Sequence, residues 1–292
     1  MTIALHPTPI TLLGTTFQNP ILLAAGTAGF GRELAGTVDL ESLGGFVTKA
    51  VSVQPRNGNR SPRVAEFDGG MLNSIGLANP GLRRVADEDL VWIIQSVRAA
   101  RVLVNVVGFV EDEYARVIEG LDPIGGMAGY ELNLSCPNTS AGGLEFGADP
   151  EAVRRIVARC RAATDRPLLA KLSPALPDVP GLAAAAVEAG AVGISVVNTM
   201  PGLVYEGDHP RLGSGNGGVS GPALLPVGLL ATTRVRRALP NVPIIGLGGI
   251  RTLEHVQQYL RAGANLVAIG TAGLADPRLP QRLARQWMHA HG

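Results

Sequence analysis

Short apolar runs alternate with segments of helical periodicity eight times along the chain, and this alternation constrains the fold more than any other feature of the sequence. Runs that are apolar nearly throughout are typical of strands buried on both faces of a parallel sheet. Eight strand–helix repeats predict an α/β protein that closes into a (β/α)8 TIM barrel. The runs are Ile21–Ala25, Gly45–Thr48, Val102–Val107, Tyr130–Leu134, Leu168–Leu172, Val192–Val197, Val242–Leu247 and Leu266–Ile269.

The segments that follow these runs predict helices. They are Glu33–Leu43, Gly81–Ala100, Glu111–Leu121, Pro150–Thr164, Gly181–Ala189, Leu224–Leu239, Thr252–Ala262 and Pro277–His291. The alternative, an open doubly wound sheet, commonly binds a dinucleotide through Gly-x-Gly-x-x-Gly at a turn from strand to helix. Gly213–Gly218 lies inside a long predicted loop, and Gly246–Arg251 lacks the third glycine. Neither stretch carries the dinucleotide fingerprint, so we expect the closed barrel.

Four segments fall outside the alternation. Thr8–Phe17 alternates apolar and polar residues around Gly14, which predicts an N-terminal hairpin that covers one end of the domain. Insertions follow the second strand (Ala50–Pro80), the fourth (Thr139–Gly147) and the sixth (Met200–Pro222). All three leave the C-terminal ends of strands, where barrel enzymes place their chemistry. The glycines of the insertion after the fourth strand would suit a mobile lid.

Length and composition exclude several classes of function. At 292 residues the chain has the size of one barrel domain, and we expect residues 1–292 to form it. A formal net charge of +1 gives no reason to expect nucleic acid or an anionic membrane as a partner. Two cysteines build neither a disulfide framework nor a four-cysteine iron–sulfur site, so we expect a cytoplasmic chain without metal or cluster. The sequence shows no signal peptide and no membrane-spanning apolar stretch.

Polar side chains stand at the C-terminal ends of the predicted strands. Lys49 closes the second strand and Lys171 the fifth, while Asn105 and Asn133 belong to the third and fourth strands and Asn198 ends the sixth. An isolated lysine is usually exposed, and an isolated asparagine usually satisfies a turn. Because all strands of a barrel end at one mouth, we expect these five side chains to lie together there.

Cys136 follows the fourth strand, and Pro137 prevents that strand from continuing. A lone cysteine is most often a small buried apolar residue, and this is our interpretation of Cys160 within its helical segment. Cys136 differs because Asn133 and Asn138 flank it. Amide side chains need several hydrogen-bond partners and are poor core residues. We therefore expect the Cys136 thiol at the mouth of the barrel.

Glycines follow the last two strands at Gly248–Gly249 and at Gly270, which precedes Thr271. Without a Cβ, backbone N–H groups can approach a phosphate closely, and barrels often bind phosphate at this place. A phosphate site beside amides, lysines and a thiol suits flavin mononucleotide (FMN), with its ring across the mouth. Lys171 would then stabilise the negative charge of the reduced ring, and Lys49 would pair with a substrate carboxylate.

An ordered set of motifs extends over residues 19–273. The motifs are Lys49, Asn73–Gly81, Asn133–Asn138, Ala170–Ser173, Asn198–Thr199, Ser220–Ala223 and Gly246–Ile250. Together they resemble the class 1 dihydroorotate dehydrogenases. The resemblance implies a barrel with one FMN that oxidises dihydroorotate to orotate in pyrimidine (UMP) synthesis. It implies that Cys136 removes the C5 proton as a general base while the C6 hydride passes to FMN; class 2 enzymes carry serine there.

The resemblance also implies which residues bind each molecule. Substrate contacts are expected from Lys49, Asn73, Ser74, Ile75, Gly76, Leu77, Asn133, Asn138, Asn198 and Thr199. FMN contacts are expected from Ala25, Lys49, Ala50, Asn105, Asn133, Lys171, Val197, Gly221, Gly248, Gly249, Gly270 and Thr271. The family often has serine where Ala25 stands, so that contact would come from the backbone.

The segments Gly69–Asn73 and Gly142–Gly147 are similar to subtype 1B. This similarity implies a homodimer of catalytic chains together with an electron-transfer subunit that holds FAD and a 2Fe–2S cluster and passes electrons to NAD. Three alternatives stay open. They are the fumarate-reducing subtype 1A, another FMN barrel reductase of pyrimidines, and a phosphate-binding barrel lyase or isomerase without flavin that uses Lys171 as a base or Schiff-base amine.

Overall fold

Eight parallel strands close into a barrel in the computed structural model, which describes residues 9–135 and 146–291. The barrel strands are β3 (Ile21–Leu23), β4 (Gly45–Val47), β7 (Arg101–Val106), β8 (Gly129–Asn133), β9 (Leu168–Leu172), β10 (Gly193–Val196), β15 (Ile244–Leu247) and β16 (Leu266–Ile269). Each matches one predicted apolar run to within two residues at either end. The predicted (β/α)8 barrel is therefore confirmed.

Side chains alternate between the two faces of each barrel strand. Those that point outward pack against the helices in the larger apolar core, as Tyr130 and Leu132 of β8 do. Those that point inward form a second apolar cluster, which includes Leu22, Leu103 and Ile245. Burial on both faces explains why the strands are apolar nearly throughout.

An antiparallel hairpin of β1 (Ile10–Leu12) and β2 (Thr15–Phe17) precedes the barrel, as the sequence predicts. Its residues Ile10 and Phe17 belong to the inner apolar cluster, with Phe17 fully buried. The hairpin therefore closes the N-terminal end of the barrel. Polar chemistry is left to the opposite end.

The helices lie outside the barrel. They are α1 (Leu82–Arg84), a π-helical turn (Val85–Asp89), α2 (Leu90–Ser96), α3 (Glu111–Leu121), α4 (Pro150–Arg161), α5 (Val179–Glu188), α6 (Leu225–Ala238), α7 (Leu253–Arg261), α8 (Thr271–Ala275) and α9 (Leu279–His291). Side chains cap three of them, since Asp149, Asp178 and Thr252 accept hydrogen bonds from backbone N–H groups in the first turn. Among the described residues, no helix is both long and apolar enough to cross a membrane.

Two predicted helices differ from the structure. Glu33–Leu43 forms only two 3-10 turns, Arg32–Leu34 and Leu40–Ser42, because Gly36 between them has a positive φ of 82° that a helix does not tolerate. The C-terminal helix begins later than predicted and is preceded by α8, which the sequence analysis missed. Asp276 ends α8 in extended backbone, with φ −139° and ψ 94°.

Two insertions join in one four-stranded antiparallel sheet, called here the insertion sheet. The insertion after β4 supplies β5 (Val64–Phe67) and β6 (Gly70–Asn73). The insertion after β10 supplies β11 (Met200–Gly202), β12 (Tyr205–Glu206), β13 (His209–Pro210) and β14 (Gly217–Ser220), of which β11 and β14 complete the sheet in the order β11-β14-β6-β5. The sequence predicted both insertions, but not that they pair with each other.

We predict that Phe17→Ala lowers the free energy of unfolding by about 3–5 kcal/mol, because it removes a fully buried aromatic side chain from the end of the barrel core. Urea unfolding followed by circular dichroism measures the change. Leu230→Ala on α6 is the control, since Leu230 is 51% exposed and its truncation should change stability by no more than about 0.5 kcal/mol. Equal stability of the two variants would show that the hairpin does not close the core.

Candidate active site at the barrel mouth

A buried ion pair lies inside the barrel above the apolar cluster. Lys171 Nζ is 3.4 Å from Glu131 Oε1, and the two side chains are 7% and 0% exposed. Asn105 Nδ2 donates to the same carboxylate oxygen at 2.8 Å. Lysine and glutamate are rarely buried unless they are paired, and here the two side chains are buried as partners.

The register of the strands explains this cluster. Asn105 of β7 pairs with Glu131 of β8, and Lys171 of β9 pairs with both Asn133 of β8 and Ser195 of β10. Alternate residues of one strand face the same side, so Glu131 and Asn133 both point into the barrel. Lys171 is level with Asn133, two residues nearer the mouth than Glu131, and its side chain reaches the Glu131 carboxylate from β9 to β8.

Three buried polar atoms beside this ion pair have no protein partner within the described residues. They are Asn105 Oδ1, Glu131 Oε2 and Ser195 Oγ. Buried polar atoms in proteins are nearly always hydrogen-bonded to protein, water or ligand. These three atoms therefore mark a level of the barrel that suits a polar ligand.

Two asparagines meet at the rim above the ion pair. Asn198 Nδ2 donates to Asn133 Oδ1 at 3.2 Å, and Asn198 Oδ1 accepts a hydrogen bond from the backbone N–H of Thr199 at 2.8 Å. The Tyr114 hydroxyl of α3 donates to the Asn133 carbonyl at 2.9 Å and so anchors the end of β8 from outside the barrel. The rim amides are thus held in one orientation.

Asn105 does not join the other two asparagines. Its side chain lies one level deeper, bonded to Glu131, because the register pairs Asn105 with Glu131 rather than with Asn133. The prediction that three asparagines converge on one rim is therefore right for Asn133 and Asn198 and wrong for Asn105.

The insertion sheet brings Asn73 and Thr199 to the same rim. Asn73 Nδ2 donates to the Gly218 carbonyl at 3.1 Å. Gly218 lies so close to Thr199 that a Cβ added to it would stand 2.1 Å from Thr199 Oγ1. Contacts therefore run from Asn73 through Gly218 and Thr199 to Asn198.

The segment Ser74–Leu77 follows Asn73 and is tied down by polar side chains. Asn59 Nδ2 donates to Ser74 Oγ at 2.7 Å, and the Asn59 backbone N–H donates to the Ile75 carbonyl at 3.2 Å. Gly76 and Leu77 both have positive φ, at 70° and 56°. A left-handed leucine is uncommon, so the surrounding bonds determine the path of this segment.

Asn79 holds the end of that segment. Its Nδ2 donates to Ser52 Oγ and to the Leu77 carbonyl, both at 2.8 Å, and its Oδ1 accepts from the backbone N–H of Gly81 at 2.9 Å. It is 7% exposed, with both ends of its amide bonded. Asn79 was not among the predicted substrate or FMN contacts, although an asparagine just before proline and glycine is a turn signal.

The two predicted lysines differ in environment. Lys171 is buried and ion-paired, whereas Lys49 is partly exposed at the end of β4. The Lys49 backbone N–H donates to the Gly29 carbonyl at 2.7 Å. Thr48 Oγ1 donates to the Lys49 carbonyl at 2.9 Å and accepts from the Asn105 N–H at 3.2 Å. Lys49 therefore lies just after the end of β4, next to β7, the strand that carries Asn105.

Glycines line the ends of the neighbouring strands β15 and β16. Gly248, Gly249 and Gly221 have φ of 115°, 72° and 93°, which favour glycine. A Cβ on Gly249 would stand 2.6 Å from the backbone nitrogen of Leu225. On the adjacent strand, a Cβ on Gly270 would be 3.7 Å from Ala24 Cβ, in ordinary contact. The glycines after the last two barrel strands thus follow neighbouring strands, and their role in binding phosphate stays a prediction.

The remaining predicted contacts lie around this end of the barrel. Ala25 follows β3, Ala50 is 8% exposed after β4, and the Val197 N–H donates to the Leu247 carbonyl at 3.3 Å. Thr271 begins α8. Cys136 and Asn138 lie outside the described residues, as does most of the predicted lid.

Cys160 lies in the apolar core between α4 and its neighbours. Cys160 is fully buried on α4, and burial raises the pKa of its thiol to about 12. A thiol that is neutral at physiological pH is a poor nucleophile and a poor base. The interpretation of Cys160 as a core residue is confirmed.

Glu131 is the functional candidate that the sequence analysis missed. A charged residue inside an otherwise apolar run, Tyr130–Leu134, was the available signal. Its meaning depends on the neighbouring strands, because only their register shows that the carboxylate meets Lys171 and Asn105. Among the described residues no group of three or more His, Cys, Asp or Glu side chains could hold a metal ion.

Fold and site together define a class of protein, a (β/α)8-barrel enzyme with paired amides, a buried ion pair and glycine-rich strand ends at the C-terminal mouth. The family model for dihydroorotate dehydrogenase matches residues 9–290. The chain therefore belongs to the dihydroorotate dehydrogenase family, and the resemblance seen in the sequence is confirmed.

Relatives of both subtypes are similar to this chain. The dihydroorotate dehydrogenase B (NAD(+)) catalytic subunit of Pelobacter propionicus is 42% identical over 288 residues, covering 97% of this chain and 94% of the relative. The equally named protein of Trichlorobacter lovleyi is 42% identical over 280 residues, covering 94% and 91%. A Solibacter usitatus protein with the provisional name dihydroorotate dehydrogenase A (fumarate) is 43% identical over 278 residues, covering 94% and 90%.

We predict that Lys171→Met lowers the free energy of unfolding by about 3–5 kcal/mol, because it leaves the Glu131 carboxylate buried without its cation. The double variant Lys171→Met/Glu131→Gln removes both charges and should recover most of that loss. Urea unfolding at pH 7 measures both. Arg154→Met is the control, because Arg154 pairs with Glu188 at the surface and its loss should change stability little. A Lys171→Met variant as stable as the wild type would argue against a buried ion pair.

Proposed function

We propose that this protein oxidises dihydroorotate to orotate with bound FMN, as a step of pyrimidine synthesis. Family membership supports the reaction. The observation that carries the proposal is the combination, at one barrel mouth, of a buried lysine and paired rim amides. A buried cation can stabilise the charge that the reduced cofactor acquires, and the amides can orient a planar substrate.

The residues present fit FMN. Gly248 and Gly249 have the positive φ that favours glycine, and together with Gly270 they follow adjacent strands, whose backbone N–H groups would bind the phosphate. The partnerless buried atoms of Asn105, Glu131 and Ser195 indicate a polar ligand at the level of Lys171. FMN when bound supplies a hydride acceptor. The residues that would hold it are Ala25, Lys49, Ala50, Asn105, Asn133, Lys171, Val197, Gly221, Gly248, Gly249, Gly270 and Thr271.

The substrate would be held by the rim. Dihydroorotate presents carbonyls and N–H groups along its ring, and an asparagine amide can both donate and accept. Asn133 and Asn198 are fixed to each other, and Asn73 reaches the same rim through Gly218 and Thr199. Lys49 would bind the carboxylate, and the segment Ser74–Leu77 and Asn138 would complete the site.

Cys136 would act as the base that takes the C5 proton of dihydroorotate. In the sequence it comes three residues after Asn133, the last residue of β8, which carries the rim amide and Glu131. A free thiol has a pKa near ~8.5, and only the thiolate is an effective base. Amide and lysine N–H donors nearby would favour the thiolate.

We propose NAD as the final acceptor, reached through a separate subunit with FAD and a 2Fe–2S cluster. Two relatives named as catalytic subunits of B enzymes support this. The second candidate is direct reduction of fumarate, which the Solibacter usitatus relative favours. The homodimer, the cytoplasmic location and the single domain over residues 1–292 stay predictions.

We predict that Cys136→Ala retains flavin absorbance but reduces the flavin with dihydroorotate at least about 100-fold more slowly, because a general base has been removed. Anaerobic mixing while the flavin absorbance is followed measures this. Cys160→Ala is the control, since its thiol is buried in α4 and should not affect the rate. A rate near that of the wild type in Cys136→Ala would remove Cys136 from its role, and a wild-type protein without flavin absorbance would favour the lyase.

We also predict that fumarate does not rapidly reoxidise the chain after anaerobic reduction by dihydroorotate, whereas NAD does so once the electron-transfer subunit is added. Stopped-flow recovery of flavin absorbance measures both reactions. An artificial dye acceptor serves as the positive control for reoxidation. Rapid recovery with fumarate alone would assign the chain to the A subtype.

A further inference from the structure

The Glu131 carboxylate has an unusual position for an acidic side chain. It is 0% exposed inside the barrel, where Oε1 receives the Asn105 amide at 2.8 Å and lies 3.4 Å from Lys171 Nζ. Its other oxygen, Oε2, has no protein partner among the described residues. No catalytic step assigned above uses this carboxylate.

The geometry of the pair leaves the lysine available to another acceptor. Charge-assisted N–H···O bonds are usually about 2.7–2.9 Å long, and the separation of 3.4 Å is longer. The ammonium carries three N–H groups, and its only recorded ion-pair partner in the described part of the chain is Glu131. Lys171 therefore keeps donors for a ligand while its charge is opposed by a nearby carboxylate.

The residues that pair with this ion pair across the strands are neutral, whereas Lys49, which follows β4 beside Asn105, adds a second cation at the mouth. Asn105 pairs with Glu131 across β7 and β8, and Ser195 pairs with Lys171 across β9 and β10. The Glu131 carboxylate therefore offsets the charge of the Lys171 ammonium next to it, and Lys49 adds positive charge nearby. Removal of the carboxylate alone would leave a net positive charge in a site shielded from water, where charges act strongly.

We infer that Glu131 is a positioning residue that aims the Lys171 ammonium at the cofactor and lowers the reduction potential of the bound flavin. This inference rests on the proposed FMN function. Acceptance of a hydride, which is two electrons and one proton, adds one negative charge to the flavin ring. An unopposed Lys171 would stabilise that charge more, and Glu131 reduces the effect.

The direction of this effect has a consequence for electron flow. A flavin of lower potential holds its electrons less tightly and passes them more readily to a weak oxidant. Glu131 would therefore favour the step after substrate oxidation, at the expense of some driving force for the first step. Lys171 and Glu131 would therefore determine the flavin potential together, with the carboxylate reducing the effect of the ammonium.

Two variants separate charge from shape. Glu131→Gln keeps the size of the side chain and an oxygen that can accept from Asn105, but removes the charge. Glu131→Asp keeps the charge and withdraws it by one methylene from Lys171 and Asn105. The matched control is Glu188→Gln, the same substitution on the surface of α5.

The experiment measures the midpoint potential of bound FMN by anaerobic titration at pH 7, together with FMN affinity and melting temperature. We expect Glu131→Gln to favour the reduced flavin about tenfold over wild type, which is about 30 mV for a two-electron couple. The midpoint potential should rise less in Glu131→Asp, and in Glu188→Gln it should equal that of the wild type. Should Glu131→Gln fail to retain FMN, the smaller rise in Glu131→Asp carries the test.

Two outcomes would overturn the inference. One is a Glu131→Gln potential equal to that of the wild type, or an unchanged or lower potential in Glu131→Asp if only that variant binds FMN. The other is a rise in Glu131→Asp as large as in Glu131→Gln, because a purely structural role predicts that the shorter side chain disturbs the site at least as much. Absence of FMN from the wild-type chain, or no bleaching by dihydroorotate, would instead count against the proposed function.

Discussion

The ion pair between Glu131 and Lys171 is the interaction on which the arrangement of the barrel mouth depends. Two charges 3.4 Å apart and almost fully buried are stable only while both are present. They tie β8 to β9 at the level where the apolar interior ends. The next inward-facing residue of β8, Asn133, then lies at the rim, where it meets Asn198. A buried polar level between an apolar interior and an open rim is the physical basis of this site.

The two ends of the barrel differ, since the N-terminal end is closed by apolar side chains and the C-terminal end carries the polar site. Phe17 and Ile10 of the hairpin close the N-terminal end with apolar side chains, so the interior below the ion pair is lined by apolar residues. At the open end, two insertions far apart in the chain build one sheet, with Asn73 opposite Gly218. That sheet delivers residues of the first insertion to the rim formed by the sixth barrel strand. The site therefore combines groups that no local stretch of sequence contains.

Much of the fold could be predicted because it follows from local patterns. Apolar runs gave the barrel strands, and Glu111–Leu121 is a helix with the bounds that its periodicity predicts. The prediction for Glu33–Leu43 was wrong because Gly36 adopts a positive φ, which periodicity does not reveal. At the site, Asn133 and Asn198 meet as predicted and Lys171 lies at the end of its strand, while the roles of all three stay predictions. Asn105 was placed too near the rim, and Glu131 was missed, because both depend on the register between β7 and β8.

The amino-acid sequence alone determined the order of strands and helices, the closed barrel and the residue types at the strand ends, since each follows from the spacing of apolar and polar residues along a single segment. Only the tertiary structure decided which of those residues touch. Strand register placed Glu131 between Asn105 and Lys171, and pairing of β6 with β14 placed Asn73 near Thr199. Register and sheet pairing are properties of two segments at once, and a one-residue shift would turn each side chain to the other face. The chemistry at the mouth therefore depends on contacts that sequence position does not contain.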